Sequence, residues 1–149
     1  MVTDYKAQGI KNRKKGSKTE AQVRAELEAA GYIVCRWQNN VDLEKNKLIG
    51  AKPKWNLFTK SISYGGVGFP DFIVIQTHIN IPGGMFYSNI AVESKGNGYL
   101  DPEERKKAQW LLDHNIFSRF IIAKKTKDGH IVYTDFVTKE QLKVEDLFK

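Results

Sequence analysis

The chain has 149 residues, of which 41% are hydrophobic, which suits one domain with a single modest core. No apolar run approaches the length of a bilayer span, and the first eighteen residues lack the apolar stretch of a secretory signal. We therefore expect a cytoplasmic protein with no membrane partner. The single cysteine, Cys35, excludes an internal disulfide and a cysteine-based zinc cluster, and its strand-like setting predicts a small buried thiol.

The charge of the chain is basic, with 24 Lys and Arg residues against 17 Asp and Glu and a net charge of +7. A local excess of cations lies in the first eighteen residues, where Asp4 is the only acid: Lys6, Lys11, Arg13, Lys14, Lys15 and Lys18. Such an excess attracts a polyanion and releases its counterions, which suits nucleic acid, although a solvated disordered tail has the same composition. We divide the chain into a basic N-terminal arm, 1–18, and a domain, 19–149.

The first predicted helix begins near Ser17, because Ser17 and Glu20 have the spacing of a capping box. Gly31 ends it, and its apolar face consists of Val23, Leu27 and Ala30. Residues 32–37 are rich in β-branched and aromatic side chains and predict a strand.

Residues 38–68 are irregular, and a loop of this length inside a domain is usually functional or mobile. Short strands fit around 56–64. Basic residues alternate here with aromatic ones, a composition that suits either a DNA-contacting flap or a small satellite core: Lys45, Lys47, Lys52, Lys54 and Lys60 with Trp55 and Phe58.

The second half of the chain has clearer signals. Residues 71–76 form a strongly apolar run that predicts a buried strand, and a turn at Pro82-Gly83-Gly84 leads into a strand over 89–95. If these two strands pair around that turn, they are antiparallel.

A second predicted helix has Asp101 as its N-cap and Pro102 in its first position, with a core face of Ala108, Leu111 and Leu112. Two strands, 119–123 and 130–136, follow with a turn at 127–129. A C-terminal helix is predicted from Thr138 to about Leu147, with Gln141 completing a second capping box. This order of elements predicts an α/β fold, a single domain with a mixed central sheet flanked by helices.

The strand over 89–95 carries the residues with the clearest chemistry. Side chains alternate across a strand, so Glu93 and Lys95 share one face, while Ser94 points to the other. In the antiparallel pairing Asp71 lies beside them. Two carboxylates supply hard oxygen ligands for Mg²⁺, to which Ser94 adds a backbone carbonyl, and Glu20 on the first helix is placed to reach the same ion.

Each of these residues also has an ordinary structural explanation. Glu20 completes the predicted capping box with Ser17. Glu93 and Lys95 suit an ion pair on an edge strand. Asp71 suits a turn after proline.

Pro70-Asp71, then Glu93-Ser94-Lys95 on the adjacent strand, preceded by a helical Glu20, resembles the PD-(D/E)xK nuclease superfamily in both letters and element order. The resemblance spans roughly residues 15–123. It implies a restriction-endonuclease-like core that hydrolyses DNA with Mg²⁺, for which Mn²⁺ substitutes. It also implies catalytic roles for Glu20, Asp71, Glu93 and Lys95, and metal binding by Asp71, Glu93, Ser94 and Glu20.

Two branches of that superfamily are similar. Lys15-Gly16, Glu20, Arg36 and the two motifs resemble the archaeal-type Holliday junction resolvases, small basic homodimers that cut four-way DNA junctions. That likeness implies DNA contacts by Lys11, Arg13, Lys14, Lys15, Lys18 and Arg36. The resolvases also carry a serine near the scissile phosphate, for which Ser61 and Ser63 are candidates.

The stretches 36–40, 65–71 and 100–104 are instead similar to the VRR-type nucleases of phages. That pattern has a glutamine in the helix after the lysine strand, for which Glu104 and Gln109 are the candidates here. The sequence thus predicts a Mg²⁺-dependent junction resolvase acting on branched DNA as a homodimer. The alternatives are a VRR-like or restriction-type endonuclease, and a non-catalytic DNA-binding domain on a nuclease fold.

Overall fold

The computed structural model describes residues 4–50, 54–57, 59–63 and 68–149. Its first element is a helix of 25 residues. This helix, α1 (Tyr5–Ala29), has Asp4 as its N-cap, whose carboxylate accepts the backbone N–H groups of Lys6 and Ala7, both at 3.1 Å. The predicted start at Ser17 is therefore wrong. A capping-box spacing also occurs inside helices, and the Lys, Arg, Ala and Gln residues before Ser17 are good helix formers that outweigh Gly9 and Gly16.

The remaining elements follow in chain order, as a list: β1 (Ile33–Arg36), β2 (Asn39–Asp42), β3 (Lys47–Gly50), β4 (Lys54–Asn56), β5 (Ser61–Ser63), β6 (Phe72–Ile81), β7 (Gly84–Ser94), α2 (Pro102–Asp113), β8 (Phe120–Lys125), β9 (Ile131–Asp135), β10 (Gln141–Leu142) and a 3-10 helix (Val144–Asp146). Asp101 caps α2, as predicted, and it forms a capping box with Glu104.

Six strands form the central sheet, in the order β1-β6-β7-β8-β9-β10. Neighbouring strands are antiparallel except β7 and β8, which are parallel and joined through α2. The mixed central sheet with flanking helices is confirmed. Because one pair alone is parallel in this sheet, the fold is a single α+β domain rather than a regularly alternating α/β one.

The β6–β7 hairpin confirms the predicted antiparallel pairing. Its register places Phe72 opposite Val92, so Asp71, one residue earlier, lies across from Glu93, one residue later. The chain reverses at Pro82 and Gly83, and Gly83 has a φ of 110°, which glycine adopts without steric cost. This hairpin positions the candidate site.

Each face of the sheet has its own hydrophobic core. One face packs against α1 through Val23 and Leu27 and is completed by buried Leu147 near the C-terminus. The opposite face packs against α2 through Ala108 and Leu111. Alternation along β7 sends Ile90 and Val92 to the α1 face and Ala91 to the α2 face. The sheet is therefore the middle of three layers.

Two small hairpins occupy the described part of 38–68. β2 pairs with β3, and buried Val41 attaches this hairpin to the core on the α2 face. β4 pairs with β5; β5 lies within the predicted strand region 56–64, whereas β4 begins two residues before it. Residues 51–53, 58 and 64–67 lie outside the described residues, and with them the parts of the predicted flap that contain Lys52 and Phe58.

The predicted C-terminal helix is wrong. The carboxylate of Asp135 accepts the N–H groups of Val137 and Thr138, at 2.7 and 3.0 Å, and closes a turn. Lys139 then has a φ of 64°, outside the right-handed helical region. The chain continues as the short strand β10, where Leu142 pairs with Tyr133.

The predicted burial of Cys35 is also wrong, because its thiol is exposed. β1 is the edge strand of the sheet, and its side chains alternate so that Val34 enters the core facing α1. Cys35 points to the other side, where the strand is not covered.

Gly68 packs against the backbone just before the candidate site. A Cβ there would lie 2.2 Å from the carbonyl oxygen of Trp37, a contact that neither backbone can relieve without moving. We expect Gly68→Ala to lower the free energy of unfolding by about 1–3 kcal/mol, as overpacked positions do. Urea denaturation measures this, with Gly9→Ala as control. Gly9 is helical with open space around it, so that variant should be neutral or slightly more stable; equal stability of the two variants would contradict the contact.

Candidate active site

Asp71 and Glu93 are locked together by backbone hydrogen bonds across the β6–β7 hairpin. The N–H of Asp71 donates to Glu93 Oε2 at 2.9 Å, and the N–H of Ser94 donates to Asp71 Oδ2 at 2.8 Å. Each carboxylate thus uses one oxygen to accept a bond from the other strand. The strand register and these two bonds fix the pair of carboxylates on rigid elements.

Lys95 joins this pair from the position directly after β7. Its Nζ lies 3.3 Å from Glu93 Oε1 and also bonds to Glu104 Oε1. The other oxygen of Glu104 accepts the N–H of Asp101 at 2.9 Å, the reciprocal bond of the α2 capping box. The start of α2 therefore holds Lys95 in place. β7 is an internal strand, so the pairing of Glu93 with Lys95 is not the edge-strand ion pair that the sequence also allowed.

Of the two helix candidates, Glu104 contacts Lys95. Gln109 is exposed and donates to Asp113 Oδ1 at 2.8 Å, away from the cluster. The N-cap at Asp101 was predicted from the sequence, but the capping box that Glu104 completes was not. The use of Glu104 as an anchor for Lys95 required the parallel β7–α2–β8 connection, which brings the start of α2 to the end of β7.

Burial dominates the electrostatics of the cluster. It raises the pKa of Asp71 to about 6. The negative charge of Glu20 raises this pKa further, while the hydrogen bond from the backbone of Ser94 lowers it. Burial and the charge of Asp71 raise the pKa of Glu93 to about 8, against the attraction of Lys95. Burial would lower the pKa of Lys95, but Glu104 and Glu93 outweigh it, so that pKa is raised. A further cation beside the two carboxylates would lower both pKa values.

Glu20 approaches the cluster from α1. Its carboxylate forms an ion pair with Arg36, Nη2 to Oε2 at 2.9 Å, and it lies near enough to Asp71 to raise the pKa of that group. Glu20 does not close a capping box at Ser17, because both residues lie inside α1. The side chain of Ser94 points to the α1 face of the sheet, as that of Val92 does. Its Oγ is buried and has no hydrogen-bond partner among the described residues.

The other predicted site residues lie further out. The predicted cations of the arm are exposed along the first half of α1: Lys11, Arg13, Lys14, Lys15 and Lys18. Arg36 is half-exposed but engaged by Glu20. Ser61 is exposed and shares a hydrogen bond with Thr59, at 2.8 Å between their hydroxyl oxygens, while the side chain of Ser63 lies outside the described residues.

The donor set for a metal ion is small. No group of three or more His, Cys, Asp or Glu side chains is arranged to hold one within 4–50, 54–57, 59–63 and 68–149. The cluster offers two carboxylates, those of Asp71 and Glu93. This number fits Mg²⁺, which keeps several waters and binds proteins through one or two carboxylates together with substrate phosphate oxygens.

The raised pKa values predict how stability depends on pH. Because the folded pKa values of Asp71 and Glu93 lie above those of the unfolded chain, the folded state holds protons that the unfolded state has released. The stabilising effect is complete below about pH 4 and is lost as pH rises through about 6 and then 8, by up to about 1.4 kcal/mol per pH unit for each extra proton.

Urea denaturation from pH 5 to 9 measures this effect, with Glu93→Gln as the comparison because it removes one of the two titrations. The wild type should lose stability relative to the variant as pH rises, and 10 mM Mg²⁺ should reduce that loss. Parallel pH profiles for the two proteins would contradict the assignment of raised pKa values.

Comparison of the chain with protein-family models, with curated proteins and with solved structures finds no match. In the part of the chain that the structure describes, no helix is long and apolar enough to cross a membrane. What the cluster does must therefore be argued from its own geometry.

Proposed function

We propose that this protein is a metal-dependent DNA endonuclease with a restriction-endonuclease-like core. One observation carries the proposal: Asp71 and Glu93 lie directly across an antiparallel strand pair, Glu93 buried and Asp71 partly buried, with Lys95 against Glu93. Two carboxylates and an amine at the end of a central sheet are costly to keep for stability alone. Their arrangement matches the needs of phosphodiester hydrolysis.

The charge balance of the cluster supports a divalent cation. Asp71 and Glu93 form the pair of carboxylates, while Glu104 contacts Lys95 and Glu20 pairs with Arg36, so the two nearby cations are each already paired with a further acid. Asp71 and Glu93 would hold Mg²⁺, or Mn²⁺ in its place, with the Ser94 carbonyl as a further oxygen donor; Glu20 would act at the edge. The bound ion would supply a more acidic water and neutralise charge on the phosphate.

Lys95 is the residue that acts on the reacting groups. Its ammonium is fixed by Glu93 on one side and Glu104 on the other, so it presents a proton donor at a constant place. In that position it orients the attacking water and stabilises the extra negative charge on the phosphate oxygens. Glu104 is a positioning residue, because it acts through Lys95.

The basic half of α1 gives the protein a surface for DNA. The cations of residues 5–18 are exposed, and the buried residues of α1 begin at Thr19, so this half of the helix is open to a phosphate backbone. Phosphate contacts of this kind position DNA without selecting a sequence. The exposed cations of α1 would thus bind the same DNA that the Asp71–Glu93 cluster cuts.

Branched DNA is the proposed substrate, as the resemblance to the junction resolvases implies, and the protein would act in the cytoplasm. Resolution of a four-way junction requires two symmetric cuts, so the proposal includes a homodimer. A restriction-type or VRR-like endonuclease uses the same cluster on a different DNA shape.

Cleavage of a substrate panel tests this proposal. The wild type is incubated with Mg²⁺ and labelled four-way junction, flap, single-stranded and blunt duplex DNA, with EDTA as control. Paired symmetric cuts in the junction are expected. Cleavage confined to flap or duplex would overturn the resolvase assignment but keep the nuclease, whereas tight binding without any cutting would overturn the enzyme.

A further inference from the structure

Two hollows flank the loop that follows Lys95. The α1 hollow, of about 1060 Å³, lies between α1 and the β8–β9 turn and has Glu20 and Ser94 in its wall. The α2 hollow, of about 640 Å³, lies between the start of α2 and strands β8 and β9. Both hollows are lined by Asn97, Lys124 and Thr126. These three residues therefore form a wall common to both hollows, and the α1 hollow borders the candidate active site through Glu20 and Ser94.

The loop between the hollows has a defined shape. Gly98 donates its N–H to the carbonyl of Lys95 at 3.1 Å, and Tyr99 donates its N–H to Asn97 Oδ1 at 3.0 Å. Gly98 has a φ of 79°, and a Cβ there would lie 2.7 Å from the side chain of Lys124. The loop thus packs against the stem of Lys124, so Lys95, Tyr99 and Lys124 are held at fixed positions relative to one another.

The α2 hollow is lined by apolar side chains, and the charged side chains exposed around it are mainly cations. Its apolar residues are Leu100, Ile122, Val132 and Phe136, and its cations are Arg105, Lys124 and Lys139. Tyr99 adds an aromatic ring that is 73% exposed. The one acidic lining residue, Asp135, is buried, accepts bonds from Val137 and Thr138, and pairs with Arg119. No carboxylate of this lining is therefore left to repel an anion.

A nucleotide has the complementary chemistry. Its base is flat with apolar faces that stack on aromatic side chains, and its phosphate is an anion. A base inside a duplex is paired and stacked between its neighbours, so it cannot enter a hollow without being taken out of the helix. A base that is already unpaired, in a flap or at a single-stranded end, enters without that cost, whereas in a four-way junction the base pair at the branch point has to open first.

We propose that the α2 hollow binds an unpaired nucleotide of the DNA strand that is cut at the Asp71–Glu93 cluster. The base packs on Tyr99 and the apolar lining, and the phosphate lies at Lys124 and Arg105. This inference rests on the proposed nuclease function and deepens it, because it makes unpaired DNA beside the cut the feature that the enzyme recognises. Lys124, which lines both hollows, lies where the strand passes from one to the other.

Binding measured in EDTA tests the pocket without cleavage. Fluorescence anisotropy compares a duplex carrying a single-stranded overhang with a blunt duplex of equal length. The wild type should bind the overhang DNA at least tenfold more tightly. Tyr99→Ala and Lys124→Ala should each weaken overhang binding by about tenfold, the order of one base–aromatic stack, and blunt-duplex binding less than twofold.

Two controls separate recognition from general effects. Tyr99→Phe keeps the ring and should keep wild-type affinity. Lys106→Ala removes an exposed lysine of α2 that lines neither hollow, and should leave the preference for the overhang unchanged. Equal weakening on both DNAs, or no effect of Tyr99→Ala, would overturn the inference. Binding of free dTMP as tight as that of overhang DNA would also overturn it, since the occupant would then be a free nucleotide.

Different results would contradict the proposed nucleotide pocket and the proposed nuclease function. If Tyr99-dependent overhang binding is present but no DNA is cut with Mg²⁺, the proposed nuclease function is wrong and the nucleotide pocket stands. If DNA is cut but Tyr99→Ala changes neither overhang binding nor cleavage, the nuclease stands and the pocket is wrong.

Discussion

Glu93→Gln should abolish DNA cleavage and at the same time stabilise the metal-free protein. The carboxylate is buried and its pKa is raised, so ionising it costs folding free energy that a neutral amide does not cost. The amide oxygen still accepts the N–H of Asp71, and Lys95 keeps Glu104 as a partner. We expect cleavage to fall by about 10³-fold, the order of several kcal/mol of transition-state stabilisation, because one ligand of the ion is lost.

The stability gain should be on the order of several kcal/mol at pH 8, because the pKa of Glu93 is raised from 4.5 to about 8 and each unit represents about 1.4 kcal/mol. Urea denaturation without metal measures it, and single-turnover cleavage measures the rate. The matched control is Glu103→Gln, an exposed glutamate of α2 that pairs with Lys107 away from the cluster. That control should change neither quantity. A Glu93→Gln protein that is less stable than the wild type would show that the carboxylate serves the fold.

Lys95→Met should also abolish cleavage, but it should destabilise the protein. The substitution removes the ammonium that contacts both Glu93 and Glu104 and keeps an unbranched side chain of similar length. Breaking a buried ion pair by removing one partner leaves an uncompensated charge, which costs about 3–5 kcal/mol when burial is complete. Because Lys95 is partly exposed, we expect about 1–3 kcal/mol at pH 8 and less at pH 5, where Glu93 is protonated.

The double variant Glu93→Gln/Lys95→Met provides the test of this coupling. Its stability should exceed that of Lys95→Met alone, because the charge that was left unpaired on Glu93 is gone. DNA binding in EDTA should stay within about twofold of wild type in all three variants, so that the loss of cleavage is a loss of chemistry. Additive changes in the double variant would contradict direct coupling between the two side chains.

The candidate site was predictable where its signals were local. The turn at Pro82-Gly83 and two apolar strands of matching length were enough to predict an antiparallel hairpin, and that pairing places Asp71 across from Glu93. The alternation of side chains along β7 likewise predicted that Glu93 and Lys95 share a face. The cap of α2 at Asp101 was readable from Asp-Pro alone.

The wrong predictions came from local sequence patterns that are compatible with two different structures. Ser17 with Glu20 and Thr138 with Gln141 both have capping-box spacing. The first pair lies inside a longer helix, and in the second Thr138 belongs to a turn closed by Asp135. In neither case does the spacing itself reveal the competing structure. Burial of Cys35 depended on which strand lies at the sheet edge, and that is decided by pairing across the chain.

The two hollows depend on contacts between segments far apart in sequence. Tyr99 and Lys124 come together because β7 and β8 are parallel neighbours joined through α2, and the loop after Lys95 then packs on the β8 side chain. Sequence spacing gives no indication of that contact. The recognition surface was therefore less predictable than the catalytic cluster.

Cleavage of an end-labelled four-way junction by wild type and Glu93→Gln, side by side in Mg²⁺ and in EDTA, tests the central claim most directly. We predict paired cuts by the wild type in Mg²⁺, none in EDTA, and none by Glu93→Gln although it binds the junction equally well. Cleavage by Glu93→Gln at the wild-type rate, or wild-type cleavage that persists in EDTA, would contradict a metal-dependent active site at Asp71, Glu93 and Lys95.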